Sequence, residues 1–454
     1  MSKRSWNFMT VMLATLAVLV FAAGAPALRS TVKAQGEISG ELNIMGFGMP
    51  DEIATVRVDT FKEMYPDVTV NITEGALDQQ QFLTAVASGN APDLVYMGRD
   101  VISSYAARGA LMPLEECINS QGIDMSQFRE AAVQQVTIDG QVYGIPEFSS
   151  TIILMINTKA LEDAGLTLDD VDVSDWDKVR ELNDALTRIE DGKLTRIGFD
   201  PKLPEFLPLW AKANGVSLIS EDGRTPQLND PKVVEALEFA VSLHDAAGGR
   251  QDFMAFRDTW DFFGSQNEFA TDQLGIMPME QWYINVLADV SPEAPLAFKP
   301  FTDREGNPIT YASGNTWAIP KGSSNPEAAC AFAKTMTATE TWVAAAEERA
   351  RLRAEAGTTN TGVWTGNRAA DEIIFGEIVQ PGSNPVFDSG VETVLAVQDA
   401  AFSIPANPAG AEFRQAWQDA VNRVLNGEQT AQEALDQAQA EAQAAFDEAW
   451  SMQQ

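Results

Sequence analysis

The chain is poor in the residues that build metal centres and disulfide scaffolds: its 454 residues include two cysteines and one histidine. A single histidine excludes any multi-histidine metal site, and two cysteines are too few for a disulfide framework. His244 follows Val234, Leu237, Ala240 and Val241 on an apolar stripe, so it reads as a satisfied or half-exposed helix histidine. Cys117 and Cys330 either pair, given an oxidising compartment, or remain two buried thiols. No Ser-His-Asp pattern is present, nor a glycine-rich loop ending in Gly-Lys-Ser or Gly-Lys-Thr, so neither triad hydrolysis nor nucleotide hydrolysis is indicated. Bases are scarce too: 31 Lys and Arg stand against 65 Asp and Glu, for a net charge of −34. Such a surface repels nucleic acid and anionic lipid, and makes phosphorylated solutes poor partners. Beyond the N-terminus no apolar run is long enough to span a bilayer.

What is present starts at the N-terminus. Lys3 and Arg4 precede a mostly apolar run from Phe8 to Phe21 and then small residues, the pattern of an export signal. Val32-Lys33-Ala34 before Gln35 is the best cleavage site, with a cut after Ala27 as runner-up, and no cysteine follows either to carry a lipid. Residues 1–34 hold four bases and no acid, so the exported chain is more negative by four. The expected location is periplasmic or extracellular, at the outer face of the cytoplasmic membrane.

The exported length is too great for one ordinary core, and two domains are expected. Strands are predicted at 41–45, 68–72 and 93–97, alternating with helices at 51–64, 77–88 and 101–107. That alternation predicts a mostly parallel sheet covered by helices, with ligands gathering at the carboxyl ends of strands. The loops Gly46-Phe47-Gly48-Met49 and Gly98-Arg99-Asp100 occupy such ends. Further on, Ser174 with Asp177 reads as a capped start of a helix over 176–186, and Asp230-Pro231 and Asn325-Pro326 open two more. Thr430 and Glu433 form a capping box for a last helix whose packing face is Leu435, Ala438, Ala442, Phe446 and Trp450. The acids Asp169, Asp170, Asp172, Asp175 and Asp177 lack the spacing and the glycine of a calcium loop, and read as a solvated loop before a helix.

Five segments in order resemble the extracellular solute-binding protein family 1, the capture components of ABC importers, typically for sugars. They are Ala91-Pro92-Asp93-Leu94-Val95-Tyr96 through Pro113-Leu114; Tyr143-Gly144-Ile145-Pro146 through Gly165-Leu166; Leu274-Gly275-Ile276-Met277 with Trp282; Gly314 through Ala329 around Trp317-Ala318-Ile319-Pro320; and Leu425-Asn426-Gly427-Glu428 with Glu433-Ala434-Leu435. The resemblance implies an α/β fold of the periplasmic-binding-protein type II kind, two α/β lobes joined by a hinge, with a ligand cleft between them. It places residues 35–150 plus 315–362 in the N-terminal lobe and 151–314 plus 363–454 in the C-terminal lobe. The chain crossings are then expected near 148–153, 312–316 and 360–368.

Sugars show apolar ring faces and polar rims, so aromatic rings, carboxylates and amides are the residues sought. The resemblance puts Trp282 first, as the aromatic after the Gly-Ile-Met strand. Trp317, Gly314 and Asn315 follow at the second crossing, and Phe148 and Ser149 at the first. Asp100 and Arg99 end the third strand, while Gln79 and Gln80 open the helix after the second. Trp210, Trp260, Glu280 and Gln281 are candidates in the second lobe, and Trp364, Asn367 and Arg368 near the third crossing. There the chain departs from the family: an Arg/Glu-rich run over 347–355 replaces the commoner proline-containing segment, either walling the pocket or lengthening a helix. The expected function is capture of a mono- or oligosaccharide for delivery to an ABC permease, by a monomer without catalytic residue, metal or cofactor. A polyol, glycerol-phosphate-like solute, polyamine or amino acid is the alternative ligand. An exported carbohydrate-active enzyme working through a carboxylate pair is the main rival, and an adhesive surface protein the other.

Overall fold

A computed structural model describes residues 38–382 and 384–452; the export signal read at 1–34 lies outside them. Ten strands, numbered in chain order, build its two large sheets: β1 Gly40–Met45, β2 Val68–Thr73, β3 Leu94–Gly98, β4 Ile145–Pro146, β5 Ile152–Asn157, β6 Arg188–Glu190, β7 Lys193–Phe199, β8 Leu274–Glu280, β9 Leu296–Pro300 and β10 Asn315–Ala318. The first sheet runs β2-β1-β3-β10-β4 and the second β9-β5-β8-β7-β6.

In the first sheet β1 pairs in parallel with β2 and β3, as the strand-helix alternation predicts. β10 returns from the second sheet and therefore runs antiparallel to both β3 and β4. The second sheet, for which the sequence reading gave no pairing, is mostly antiparallel: β5 is antiparallel to β8 and β9, β6 to β7, and only β7 and β8 are parallel. All six residues of β5 are buried, which is why its sequence, Ile-Ile-Leu-Met-Ile-Asn, does not alternate with polar residues. Ile152, Leu154 and Ile156 face a core with Trp176, Trp210 and Trp417, while Ile153 and Met155 face another with Tyr283 and Phe387.

Side chains set the helix starts. Asp51 accepts from the Ala54 amide to cap the helix Glu52–Met64, and Asp78 caps Gln79–Ala87. Thr430 and Glu433 form the expected reciprocal box. The helix Trp176–Leu186 is capped by Asp175 instead of Ser174, whose hydroxyl and amide are engaged by Asp172. His244 lies past the end of its helix, buried against Phe253, with Nδ1 unpartnered among the described residues. Burial pulls it down to about 4, so it is neither satisfied nor half-exposed.

The chain passes between the sheets after Pro146, before Asn315 and again beyond Ala356. Arg99, fully buried at the end of β3, fastens the first two passages together. Its guanidinium donates to the carbonyls of Phe148 and Ser313 and to the Ser149 hydroxyl, and its Nε donates to Gln135. Gly314 is required there, since a Cβ would stand 2.0 Å from the Phe148 carbonyl oxygen. The third passage joins the same knot: the Gly366 amide donates to the Glu147 carbonyl at 2.7 Å.

Of the two readings for the cysteines, the structure has the bridge. Cys117 and Cys330 are bonded across 213 residues, tying the helix Glu115–Gln121 to Pro326–Thr337. Closing so long a loop restricts the unfolded chain, and its loss costs about 2–5 kcal/mol. Thermal melts with and without reductant should show a fall of several degrees, and the C117S/C330S variant should show the same fall without reductant.

Candidate functional site

A cavity of about 350 Å³ lies where the passages meet the carboxyl end of β1. Phe47, Asp51, Arg57 and Tyr96 line it from the first lobe, Trp282 and Asn285 from the second, and Glu147 and Phe148 from the first passage. Trp342 and Arg349 come from the helix Thr339–Ala356, and Val363 and Trp364 from the third passage. Six of these side chains are aromatic. The indole N–H groups of Trp342 and Trp364 are buried and lack a hydrogen-bond partner among the described residues, as do those of four tryptophans elsewhere.

The cavity's charges are paired. Arg57 and Glu147 form a buried ion pair, and the Tyr96 hydroxyl donates to the other Glu147 oxygen at 2.5 Å. Arg57 also lies 3.8 Å from the centre of the Trp342 ring, a cation–π contact. Burial, reinforced by the Glu147 carboxylate, holds the Tyr96 phenol well above its usual range. Arg349 donates to Asp51 at 2.5 Å and to Glu52 at 2.6 Å, bracing the loop that carries Phe47. Two acids and two bases thus line the cavity, and Glu52 shares Arg349 from outside the lining. Aromatic faces with fixed polar groups suit a neutral solute that is apolar on its faces and hydroxylated at its edges.

The profile described as bacterial extracellular solute-binding protein matches residues 57–369. The chain belongs to that family. Among curated relatives, the maltotriose-binding protein of Pyrococcus abyssi is 23% identical over 66% of this chain and 63% of its own length. The maltodextrin-binding protein of Bacillus subtilis is 30% identical over 40% of this chain and 42% of its own. The chain thus spans under two thirds of the length of either. Among solved structures, mannobiose-bound CpMnBP1 superposes with a TM-score of 0.73 at 24% identity, over 88% of this chain and 99% of that one. A Listeria monocytogenes ABC substrate-binding protein in complex with cycloalternan gives 0.70 at 21%, over 90% and 99%. These likenesses establish the fold as two α/β lobes. Among the described residues no helix is long and apolar enough to cross a membrane.

Of the candidates read from this family member's sequence, Trp282, Phe148 and Trp364 meet in the cavity. Gln79 and Asn315 line a neighbouring pocket that shares Tyr96 with it. Trp317 is a correction: it is 0% exposed, enclosed by Phe47, Tyr96 and Phe332, because its strand is central and its ring points into the core. Trp210 is another, 0% exposed among Trp176, Phe199, Phe239 and Phe301, with its indole N–H donating to the Pro201 carbonyl. Asp100 accepts from Arg414 at 2.8 Å instead of facing the cavity. Arg99 and Gly314 build the passage, and burial pulls the Arg99 guanidinium down to about 10. Gln281 is equally internal, accepting from the Thr151 amide and donating to the Ser149 carbonyl.

Ser149 and Arg368 line a separate polar cavity of about 430 Å³ with Arg129 and Gln398. Asn367 is buried as a helix cap, donating to the Thr337 carbonyl. Gln80 is exposed on its helix. Trp260 packs at the edge of the second-lobe core, and Glu280 ends β8, its carboxyl raised by burial; neither lines the cavity.

Sequence reading missed Arg57, Glu147, Trp342 and Asn285, and located Phe47 and Arg349 only through the loop 46–49 and the run 347–355 that hold them. Arg57 carried a signal: it interrupts the buried stripe Ile53, Ala54, Val58, Phe61 of its helix, where a charge needs a partner. Trp342 and Arg349 are seven apart and share one helix face, so the Arg/Glu-rich run does wall the cavity. Glu147 is adjacent to the chosen Phe148, but nothing local marks its ion pair across 90 residues.

Behind Trp282 sits a buried acid, Glu268. Burial pushes its carboxyl up to about 7, reinforced by Asp200 and partly offset by the Tyr283 hydroxyl and Lys202. A carboxyl raised on folding contributes stability that is fully present below its ordinary 4.5 and is lost as pH rises through about 7. The melting temperature should therefore fall by a few degrees between pH 5 and pH 8, and E268Q, which has no proton to lose, should flatten that part of the profile.

Proposed function

We propose that this protein captures a neutral saccharide in the cavity between its lobes and delivers it to an ABC importer permease in the membrane. The carrying observation is the aromatic cavity itself: Phe47, Phe148, Trp282, Trp342 and Trp364 around self-neutralised Arg57–Glu147 and Arg349–Asp51 pairs, with two unpartnered indole N–H donors. Sugar ring faces would stack on the aromatic rings. The relatives whose names carry maltotriose and maltodextrin, and the structure holding mannobiose, support a saccharide of more than one unit.

The balanced charges of the lining argue against the two alternatives of single-signed charge. A polyamine needs an acidic surplus and a glycerol-phosphate-like solute a basic one. The role proposed is binding without turnover, at the periplasmic or outer face of the cytoplasmic membrane, by a monomer. Residues 35–150 with 315–362 would move as one lobe and 151–314 with 363–454 as the other. Closure would then be favoured only by as much as the ligand prefers the closed state.

The test is the melting temperature of protein unfolded and refolded to strip carried ligand, titrated with maltose and mannose oligosaccharides, polyols, polyamines and glycerol phosphate. Saturable stabilisation of roughly 5 °C or more by one saccharide series is expected at ligand well above Kd. W282A should weaken that binding by roughly thirtyfold, about 2 kcal/mol. A rise with spermidine or glycerol phosphate and none with saccharides would overturn the reading.

A further inference from the structure

The aromatic surface does not stop at the cavity. The segment between the helix Arg250–Arg257 and β8 turns back at Asp261–Gly264, where the Gly264 amide donates to the Asp261 carbonyl at 2.8 Å. A Cβ on Gly264 would stand 1.9 Å from the Asp261 carboxylate, so a larger residue there would displace that side chain. It sends two adjacent rings opposite ways. Phe262 points inward and stacks on Tyr283, with centroids 4.2 Å apart and planes 8° apart. Phe263 points outward and lies nearly parallel to Trp282, at 6.1 Å and 17°.

Phe263 is 66% exposed, the most exposed large apolar side chain among the described residues. Its neighbour Trp282 lines the cavity, so Phe263 continues that wall outward past the rim. The adjacent Phe262 is anchored. The Tyr283 hydroxyl sits 2.8 Å from both the Phe262 carbonyl and Glu268, while Lys202 lies 5.7 Å from the Phe262 ring centre. The phenol's one proton is shared between these two acceptors.

We infer that Phe263 is a ligand-contacting ring outside the enclosed cavity, and that it makes the protein discriminate among linear saccharides by length. The inference rests on the saccharide reading above. A cavity of about 350 Å³ is at the small end for ligand sites, so a longer chain of sugar units must emerge over its rim. Phe263 offers the emerging units the aromatic face that Trp282 offers the enclosed ones. A ring set beside Trp282 and edge-on to Phe262 has less freedom to lose on contact than an isolated one, so more of its stacking is retained as affinity.

The test compares dissociation constants of wild type, F263A and F263W for the di-, tri- and tetrasaccharides of the maltose and mannose series. F263A should weaken tetrasaccharide binding by roughly fivefold, the scale of one aromatic contact, leave the disaccharide within twofold, and keep the wild-type melting temperature without ligand. F263W should restore tetrasaccharide binding. Equal loss at every length, or no loss at any, would overturn the role of Phe263 while leaving the saccharide reading intact. If wild type binds none of these saccharides, both fall together.

Discussion

A single buried cation organises the place where two lobes become one protein. Arg99 ends β3 with no carboxylate hydrogen-bonded to it; its donors are spent on the backbone carbonyls of Phe148 and Ser313 and on the side chains of Gln135 and Ser149. Those carbonyls belong to segments that have left one sheet and not yet joined the other; the Ser150 amide reaches the Ser313 carbonyl, but one backbone N–H cannot bridge both carbonyls. A guanidinium can, because its donors fan out in one plane and its charge survives burial at neutral pH. Substituting the carbonyls for a carboxylate avoids fixing a second buried charge at the crossing, and leaves Glu147, one residue before Phe148, free to serve Arg57 and Tyr96.

From this knot the site follows geometrically. Glu147 and Phe148 emerge on the cavity side of the passage, and Ser149 to Thr151 on the opposite side, against Arg129 and Gln398. Gln281 holds Thr151 and Ser149 through both ends of its amide, and Trp282 is the next residue, opening the helix Trp282–Val290. The third passage is tied to the same helix, since the Thr361 hydroxyl donates to the Asn285 side chain. The aromatic wall is therefore attached to the passages and not to mobile surface loops. A ligand touching Phe148, Trp282 and Trp364 contacts three chain segments whose relative positions the crossing determines.

Much of this was legible in the sequence because it is local. Strand-helix alternation over 41–107, the helix starts at Asp230, Asn325 and Thr430, and the aromatic after β8 each depend on a few neighbouring residues. Tryptophan position was not. Trp282 and Trp317 both end or follow apolar strands, yet one faces the cavity and the other the core. That difference is set by strand order: β10 is central, between β3 and β4, and its alternate residue has no solvent to face. Likewise Asp100 has the chemistry of a hydroxyl acceptor, but Arg414, more than 300 residues onward, reaches it first. The cavity's charged pairs, Arg57–Glu147 and Arg349–Asp51, join residues whose separation in sequence conceals them.

The distribution of charge carries the last step. The chain is strongly acidic as a whole, yet the cavity holds two acids beside two bases. An electroneutral interior within an acidic exterior needs buried arginines, and both arginines are fixed by more than one acceptor. Arg57 also donates to the Ile53 and Met336 carbonyls, and Arg349 to the Gly362 carbonyl. Pairs held this way gain little by rearranging toward an incoming charge, and removing either partner would strand the other in a poorly solvated wall. On the saccharide reading proposed above, such a cavity would disfavour ions of either sign, whatever the long-range field of the surface. What it can still exchange with a ligand is aromatic area and a few oriented donors. That combination selects solutes by the pattern of their hydroxyl groups and apolar faces.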